Sequence, residues 1–306
     1  MRLSHLHLPR RIPYAHALKL QDALLTRQFQ YKSQLKLATA RSEPLPPAPN
    51  PVLLTFETQP TYTVGRRHLS SNPLSESQIA FLTGQSHAIQ NPDHDHGKHR
   101  EQVHEHDQAH ARATFFPSPR GGLLTYHAPG QLTAFLVLDL RVHRLTPRCY
   151  IRFLEDTVIK TCAAWGVPNT VVTDDPGVWI AEKHGSGSGS GQATTRKVCA
   201  IGVHVSRGVT SHGVGLNVRD QGFNDAETDT ATEEGYLSWG FGRIVACGLE
   251  GKSVTWLQRE VDCDSSFAAE LSVGGVAGTL ARETAAGLGL SRDVEVVDEA
   301  DVLGVD

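Results

Sequence analysis

The sequence has few of the features that mark membrane or nucleic-acid-binding proteins. Its 306 residues contain no run of 18 apolar residues, so no transmembrane helix is predicted. Acidic residues outnumber basic ones and the formal net charge is −4. Binding driven by nucleic-acid phosphates is therefore not expected.

Cysteine is scarce, and its spacing excludes two common uses. The five cysteines are an odd number and form no Cys-x-x-Cys pair, so neither a disulfide framework nor a thiolate zinc site is predicted. A reducing compartment is favoured. Cys149 and Cys162 in a predicted helix, and Cys199 in a predicted strand, are interpreted as core residues.

Nucleotide-binding motifs are also missing. No Gly-x-Gly-x-x-Gly follows a predicted strand and no Walker-type loop occurs, so we expect no nucleotide cofactor. No cofactor of another kind and no metal site is predicted from the motifs.

The most informative block that is present runs from Arg120 to Gln131. A glycine pair opens it and Pro129-Gly130 closes it, with a short apolar stretch between. Because glycine has no Cβ, such a backbone can approach a ligand closely while carrying Arg, Tyr, His and Gln side chains.

Three further glycine-rich blocks have the same character: 197–202, 210–217 and 244–249. They supply a lysine, a histidine and an isolated cysteine. Together with the first block, this set predicts covalent acyl chemistry.

The apolar pattern predicts an α+β fold. It favours helices over 14–36, 72–82, 146–166, 253–260 and 265–288, and strands over 52–56, 62–64, 132–140, 171–173, 178–180, 198–205 and 244–245. Strands and helices do not alternate regularly, so we expect a mixed, mostly antiparallel sheet flanked by helices on one side.

We predict one domain over residues 1–290 with three insertions. Residues 86–112 hold seven histidines and almost no apolar residue, which favours a disordered insertion, although metal binding stays open. Residues 184–196 are Gly-Ser-rich and residues 220–235 are acidic. The acidic tail 291–306 is expected to be weakly structured.

The N-terminus is basic before Asp22, which suits a mitochondrial presequence. In the alternative interpretation, the first helix begins near Pro13 and leaves only about a dozen residues for a signal. We predict mitochondrial localisation, with cytoplasmic localisation as the alternative.

Cys247 is the candidate nucleophile. It follows the predicted strand 244–245 and precedes Gly248, so its thiol could face a cavity beside backbone N–H groups. Lys197 begins a strand, and its ammonium near the thiol would favour the thiolate. A buried core role for Cys247 and a solvated Lys197 are the simpler alternatives. His127 and His212 make a Cys/His dyad a competing arrangement.

Four motifs together resemble one protein family. Arg-Gly-Gly-x-x-Thr-Tyr-His-x-Pro-Gly-Gln (120–131), Lys-x-x-Ala-Ile-Gly (197–202), Thr-Ser-His-Gly-x-x-Leu-Asn-Val (210–218) and Cys-Gly (247–248) occur in the order typical of lipoyl(octanoyl) transferases. The resemblance runs from about Pro13 to Glu260.

This resemblance implies a biotin/lipoate protein ligase-like fold and transfer of an octanoyl group from acyl carrier protein to a lysine of a lipoyl domain. Acceptors would be 2-oxoacid dehydrogenase complexes and the glycine cleavage H protein. It implies that Cys247 forms the thioester and that Lys197 lowers the pKa of the thiol and transfers protons. The implied acyl site comprises Arg120, Gly121, Gly122, Leu123, Leu124, Thr125, Tyr126, His127, Ala200, Ile201, Gly202, His212, Gly213, Val214 and Gly215.

Two departures from the family pattern occur. Ala246 replaces the commoner proline before Cys247, which leaves the turn less rigid, and the acidic insertion 220–235 widens the spacing from Lys197 to Cys247. Three alternative functions remain: an ATP-dependent lipoate ligase, for which no adenylate-binding loop is found, a thioester hydrolase using Cys247 and His212, and a non-catalytic paralogue that binds lipoyl domains.

Overall fold

The computed structural model describes residues 1–71, 73–84, 112–181, 195–222, 235–246 and 253–304. Its strands are β1 (Ser4–Ile12), β2 (Val52–Thr58), β3 (Thr61–Val64), β4 (Thr114–Pro117), β5 (Leu124–His127), β6 (Gln131–Val137), β7 (Thr170–Val171), β8 (Gly177–Ala181), β9 (Thr195–Ser206), β10 (Val209–Asn217), β11 (Ser253–Val254) and β12 (Glu295–Val296). Its helices are α1 (Tyr14–Arg41), α2 (Arg66–Ser71), α3 (Glu76–Thr83), α4 (Pro147–Ala164), α5 (Tyr236–Ala246), α6 (Leu257–Glu260), α7 (Ser266–Glu270), α8 (Val273–Gly287) and α9 (Glu299–Leu303).

A large mixed sheet forms the centre of the fold. Its strand order is β12-β1-β2-β6-β10-β9-β8-β7, and β11 pairs with β9 in addition. The pairs from β2 to β7 along this order are antiparallel, whereas β1 is parallel to both β2 and β12. The predicted α+β class with a mostly antiparallel sheet is confirmed.

Helices cover both faces of this sheet. Successive residues of a strand point to opposite faces, so Phe135 of β6 packs with α1 while Ala134 and Leu136 pack with α4 and α8. The expectation of helices on one side only is wrong. A smaller sheet, ordered β4-β3-β5, forms a separate cluster with α3 and α5.

The start of α4 follows from local sequence. The side chain of Thr146 accepts a hydrogen bond from the backbone N–H of Cys149 at 3.2 Å, and Pro147 occupies the first turn. Proline suits this position because the first helical N–H groups have no partner within the helix. The helix predicted here is confirmed, and it ends two residues before Gly166.

Both ends of the chain contribute to the large sheet. Residues 4–12 lie in the basic segment that suits a presequence, but they form β1. Leu6 and Leu8 of this strand are buried and alternate with His5 and His7. The tail is not weakly structured throughout, because β12 pairs with β1 and α9 follows. Burial of alternate apolar residues explains why a strand forms here despite the neighbouring charges.

The segment before Cys247 is helical, so the predicted strand 244–245 is wrong. Leu237 and Ile244 of α5 pack against the aromatic cluster of the small sheet. A Cβ on Gly240 would lie 2.0 Å from the ring of Tyr126, so glycine is required where the helix crosses that ring.

Four predicted helices also have different boundaries. Helix α1 continues to Arg41 rather than ending at residue 36. Helix α3 begins at Glu76 rather than at residue 72, because Ser75 caps it by accepting from Gln78 N. Residues 253–260 divide into β11 and α6. Residues 265–288 divide into α7 and α8, where Ser272 provides a new N-cap.

Most of the predicted insertions lie outside the described residues, which omit 85–111, 182–194 and 223–234. The second insertion ends earlier than predicted, because Thr195 and Arg196 already belong to β9. Among the helices that the structure describes, none is long and apolar enough to cross a membrane.

Candidate active site

A cavity of about 450 Å³ lies between the β9–β10 hairpin and the small sheet. Its floor is made of small residues that the antiparallel register places side by side. Gly202 pairs with Gly213 and Ala200 pairs with Gly215, so all four lie on the face of the sheet that Phe135 also occupies. The small side chains leave room above these strands.

The opposite wall comes from α5 and from residues 120–123, which precede β5 and are called the glycine-rich loop below. The backbone of Gly121 donates to Val203 O at 2.9 Å, which docks the loop onto β9. Phe241 and Ile244 of α5 line the same cavity, and they add apolar surface.

The cavity contains nearly all of the predicted acyl-site residues. Those that line it are Arg120, Gly121, Gly122, Leu123, Leu124, Thr125, His127, Ala200, Ile201, Gly202, His212, Gly213, Val214 and Gly215. Tyr126 does not line it. The ring of Tyr126 is fully buried, 4.7 Å from that of Tyr62 and 5.7 Å from that of Phe241, so it packs in the small-sheet core.

Arg120 holds the glycine-rich loop in shape. Its Nη1 donates to the carbonyls of Gly121 and Leu123 at 2.9 and 3.1 Å, and its Nη2 donates to Thr63 O at 2.8 Å. The side chain is buried, and desolvation lowers the pKa of Arg120 from its usual value. Arg120 is therefore a structural anchor of the loop as well as a wall of the cavity.

The two histidines in the cavity are neutral at physiological pH. Burial, and then the charge of Arg120, lowers the pKa of His127 to about 4 and that of His212 to about 3. His127 Nδ1 also lies 2.7 Å from Gln131 Oε1. Neither ring supplies the positive charge that a thiolate needs, which disfavours a Cys/His ion pair.

Lys197 is the predicted cation at this site, and it lines the cavity. Its Nζ lies 3.1 Å from Asp175 Oδ2, 3.4 Å from the carbonyl of Pro176 and 4.4 Å above the ring of Trp179. The sequence interpretation missed Asp175 and Trp179. The turn signal Asp-Asp-Pro-Gly between two predicted strands could have indicated the first of them.

Cys247 lies outside the described residues, so its distance from Lys197 stays a prediction. The chain on either side of it is described. Ile244 of α5 and Ser253 of β11 both line the cavity, and Val254 pairs with Lys197 in the parallel β9–β11 ladder. The described residues on both sides of the Cys247 segment thus lie at the cavity wall, and those that follow it lie beside Lys197.

The other cysteines divide into core and surface residues. Cys162 and Cys199 are buried as predicted, and burial raises the pKa of Cys162 to about 12. Cys149 is exposed, so the prediction of a core role is wrong, because the first turn of α4 faces solvent. Among the described residues, one group of three side chains has the spacing to hold a metal ion. It consists of Asp262, Cys263 and Asp264, all of which are exposed.

Comparison with known proteins identifies the family. Residues 13–270 match the lipoyl protein ligase A/B catalytic domain. The chain belongs to this family. A mitochondrial octanoyl-[acyl-carrier-protein]:protein N-octanoyltransferase of Danio rerio is 31% identical over 254 residues, which are 83% of this chain and 81% of that protein.

A bacterial relative and a solved structure agree with this assignment. An octanoyltransferase of Acidobacterium capsulatum is 31% identical over 268 residues, covering 85% of this chain and 81% of that protein. A lipoate-protein ligase A crystallised with ATP superposes with a TM-score of 0.51, at 12% identity, over 99% of this chain and 93% of that one. The second likeness concerns the fold alone, and it confirms the predicted lipoate ligase-like architecture.

Proposed function

We propose that this protein is an acyltransferase that moves an octanoyl group from octanoyl-acyl carrier protein to a lysine of a lipoyl domain. The named octanoyltransferase relatives support the reaction class. The observation that carries the proposal for this chain is the cavity itself. Lys197 lines it, and both chain ends that flank the Cys247 segment line it too.

The first step is exchange of one thioester for another. The Cys247 thiolate attacks the carbonyl carbon of the carrier thioester, a new C–S bond forms, and the bond to the carrier sulfur breaks. The leaving carrier thiolate takes a proton from the ammonium of Lys197. The energies of the two thioesters are similar, so this exchange needs no ATP.

The second step forms an amide. The neutral amine of the acceptor lysine attacks the octanoyl carbonyl, a C–N bond forms, and Cys247 leaves as a thiolate. The proton released from the amine returns to Lys197. An amide is more stable than a thioester, which drives the transfer forward.

The cavity suits the acyl chain because its walls are mostly apolar away from Lys197. Phe135, Phe241 and Ile244 line it, and the small residues of β9 and β10 leave its floor open. Each buried methylene contributes about 0.8 kcal/mol to binding. The donor would be the carrier protein, and the acceptors would be lipoyl domains of 2-oxoacid dehydrogenases and the glycine cleavage H protein.

Intact mass spectrometry tests the proposal. Incubation with octanoyl-carrier protein, without ATP, should add one octanoyl group to the protein, and addition of a lipoyl domain should discharge it. Cys247→Ala should remove the adduct. Cys149→Ala is the matched control, because Cys149 is an exposed thiol whose pKa is lowered by hydrogen bonds with Thr146, so it is available for non-specific acylation.

Three outcomes would contradict the proposal. An adduct that persists in Cys247→Ala would place the nucleophile elsewhere. A strict requirement for ATP would favour a ligase. Steady release of free octanoate without an acceptor would favour a hydrolase.

We also propose that the protein acts in mitochondria. The names of relatives from Danio rerio, Drosophila melanogaster and Xenopus tropicalis specify that organelle, whereas the bacterial relatives come from cells without mitochondria. Fractionation of cells that express a C-terminally tagged full-length chain tests this, and recovery only in the cytosol would contradict it.

A further inference from the structure

We infer that Asp175 is a positioning residue for the proposed transferase, holding the ammonium of Lys197 at the cavity wall and keeping it protonated for the carrier-release step. The inference rests on the proposed function, in which Lys197 must deliver a proton. Asp175 acts through Lys197 and touches no reacting atom.

The contact between the two side chains is direct. Asp175 Oδ2 and Lys197 Nζ are 3.1 Å apart, and both residues line the cavity. The side chains of Lys197 and Asp175 are 19% and 39% exposed, so solvent screens the pair only in part. At this distance a carboxylate favours the charged form of the ammonium.

Hydrogen bonds to its own backbone groups hold Asp175 in place. The side chain of Thr173 donates to Asp175 O at 3.2 Å and accepts from Asp175 N at 3.2 Å. The indole N–H of Trp179 donates to the same carbonyl at 3.3 Å. Trp179 thus fixes Asp175 through its N–H and lies beneath the ammonium of Lys197 with its ring.

The turn that follows is also fixed in place. Gly177 has a φ of +143°, and a Cβ there would lie 2.6 Å from the carbonyl oxygen of Cys199 and 3.2 Å from Cε of Lys197. Its N–H donates to the buried carboxylate of Glu155 on α4 at 3.3 Å. The close approach that glycine permits brings the turn, and Asp175 with it, against Lys197.

Other charged and titratable groups besides Asp175 lie near Lys197. Cys199 in β9 interacts electrostatically with Lys197 and with Glu155 of α4. Arg196, the preceding residue, pairs with Glu260 of α6 at 2.9 Å. The β11 neighbours Ser253 and Val254 carry no charge, and Asp174 precedes Asp175 on the exposed side of the turn.

The pairing gives Asp175 a specific part in the reaction. Without the carboxylate, Lys197 would lose its proton at a lower pH and its Nζ would move more freely over the cavity wall. Fewer enzyme molecules would then hold the proton that the departing carrier thiolate needs. The step would slow most at alkaline pH, while the apolar cavity that binds the acyl chain would be unchanged.

The test compares three full-length variants that differ at adjacent positions of the turn. Asp175→Asn removes the charge with little change in shape, Asp175→Glu restores it, and Asp174→Asn is the control for loss of one negative charge at the exposed neighbour. The readouts are the pH profile of kcat with octanoyl-carrier protein and lipoyl domain, and the NMR titration of ¹³Cε-labelled lysine. Lys197→Arg assigns the Lys197 signal.

In Asp175→Asn we expect kcat to fall about tenfold or more with the KM for the donor within about twofold. We also expect the alkaline limb and the Lys197 titration to move about one pH unit lower. Asp175→Glu should restore most of kcat, and Asp174→Asn should match the parent protein in both measurements.

A lower kcat with an unchanged pH profile and an unchanged Lys197 titration would overturn the inference, because a merely structural role predicts that result. Equal shifts in Asp175→Asn and Asp174→Asn would also overturn it. Absence of acyl transfer by the parent protein would refute the proposed function instead, and the NMR titration would still decide whether Asp175 controls Lys197.

Discussion

Gly202 lies directly beneath the side chain of Arg120. A Cβ at Gly202 would be 2.9 Å from Cδ of Arg120 and 3.2 Å from its Nη1. The arginine can therefore reach the carbonyls of the glycine-rich loop only because β9 carries no side chain at this position. One missing Cβ on a strand thus helps to determine the shape of the opposite wall of the cavity.

Gly202→Ala should destabilise the protein by displacing Arg120 from that position. Overpacking in a buried site costs about 1–3 kcal/mol, so the free energy of unfolding in urea should fall by that amount. Gly121→Ala is the matched control, since its Cβ would meet the nearest heavy atom at 3.6 Å. Equal unfolding free energies for the two variants would contradict the close contact.

Lys32→Met should destabilise the docking of α1. Lys32 forms an ion pair with the buried carboxylate of Asp139, and their side chains are 20% and 8% exposed. Removing the cation leaves the carboxylate without this partner, which we expect to lower the free energy of unfolding by about 3 kcal/mol. Arg10→Met provides the contrast, because its pair with Glu299 is largely exposed and such pairs contribute about 0–1 kcal/mol. A loss no larger than that of Arg10→Met would contradict the prediction.

Stability should fall as the pH drops below about 6.5. The folded-state pKa of His127 is about 4, lower than its ordinary value of 6.5. Between these values the unfolded chain binds more protons than the folded one, so acid favours unfolding. His127→Gln should reduce the slope of unfolding free energy against pH by up to about 1.4 kcal/mol per unit in that range. Denaturant titration from pH 4 to 7 measures the unfolding free energy of both proteins. Equal slopes against pH for the parent and His127→Gln would contradict the prediction.

If Lys197 acts on Cys247 as proposed, Lys197→Met should slow acylation of Cys247 about 100-fold near pH 7, because loss of the ammonium leaves less thiolate and no proton donor. The deficit should narrow above about pH 9, where thiols ionise unaided. Single-turnover mass spectrometry at each pH measures this effect. Lys160→Met, at an exposed position of α4, is the control and should behave like the parent protein. A deficit that is the same at every pH would indicate a different role for Lys197.

Predictions from sequence succeeded where the signal was local. Thr146 and Pro147 specify the start of α4 by their own hydrogen-bonding and backbone properties, and the structure agrees. Residues of the glycine-rich motifs also line one cavity, and their role in acyl binding stays a prediction. Tyr126 is the exception. Its motif placed it among ligand-binding residues, but contacts with the distant Tyr62 and Phe241 bury it in the core.

The sequence alone determined the family, the α+β class and the residue types at the site, because motifs and apolar periodicity are encoded in neighbouring positions. Tertiary structure decided that residues 4–12 form a strand and that residues 236–246 form a helix. It also decided that Asp175 meets Lys197. These outcomes depend on burial and strand pairing between segments far apart in the chain, and local propensity does not report which distant partner covers a given face.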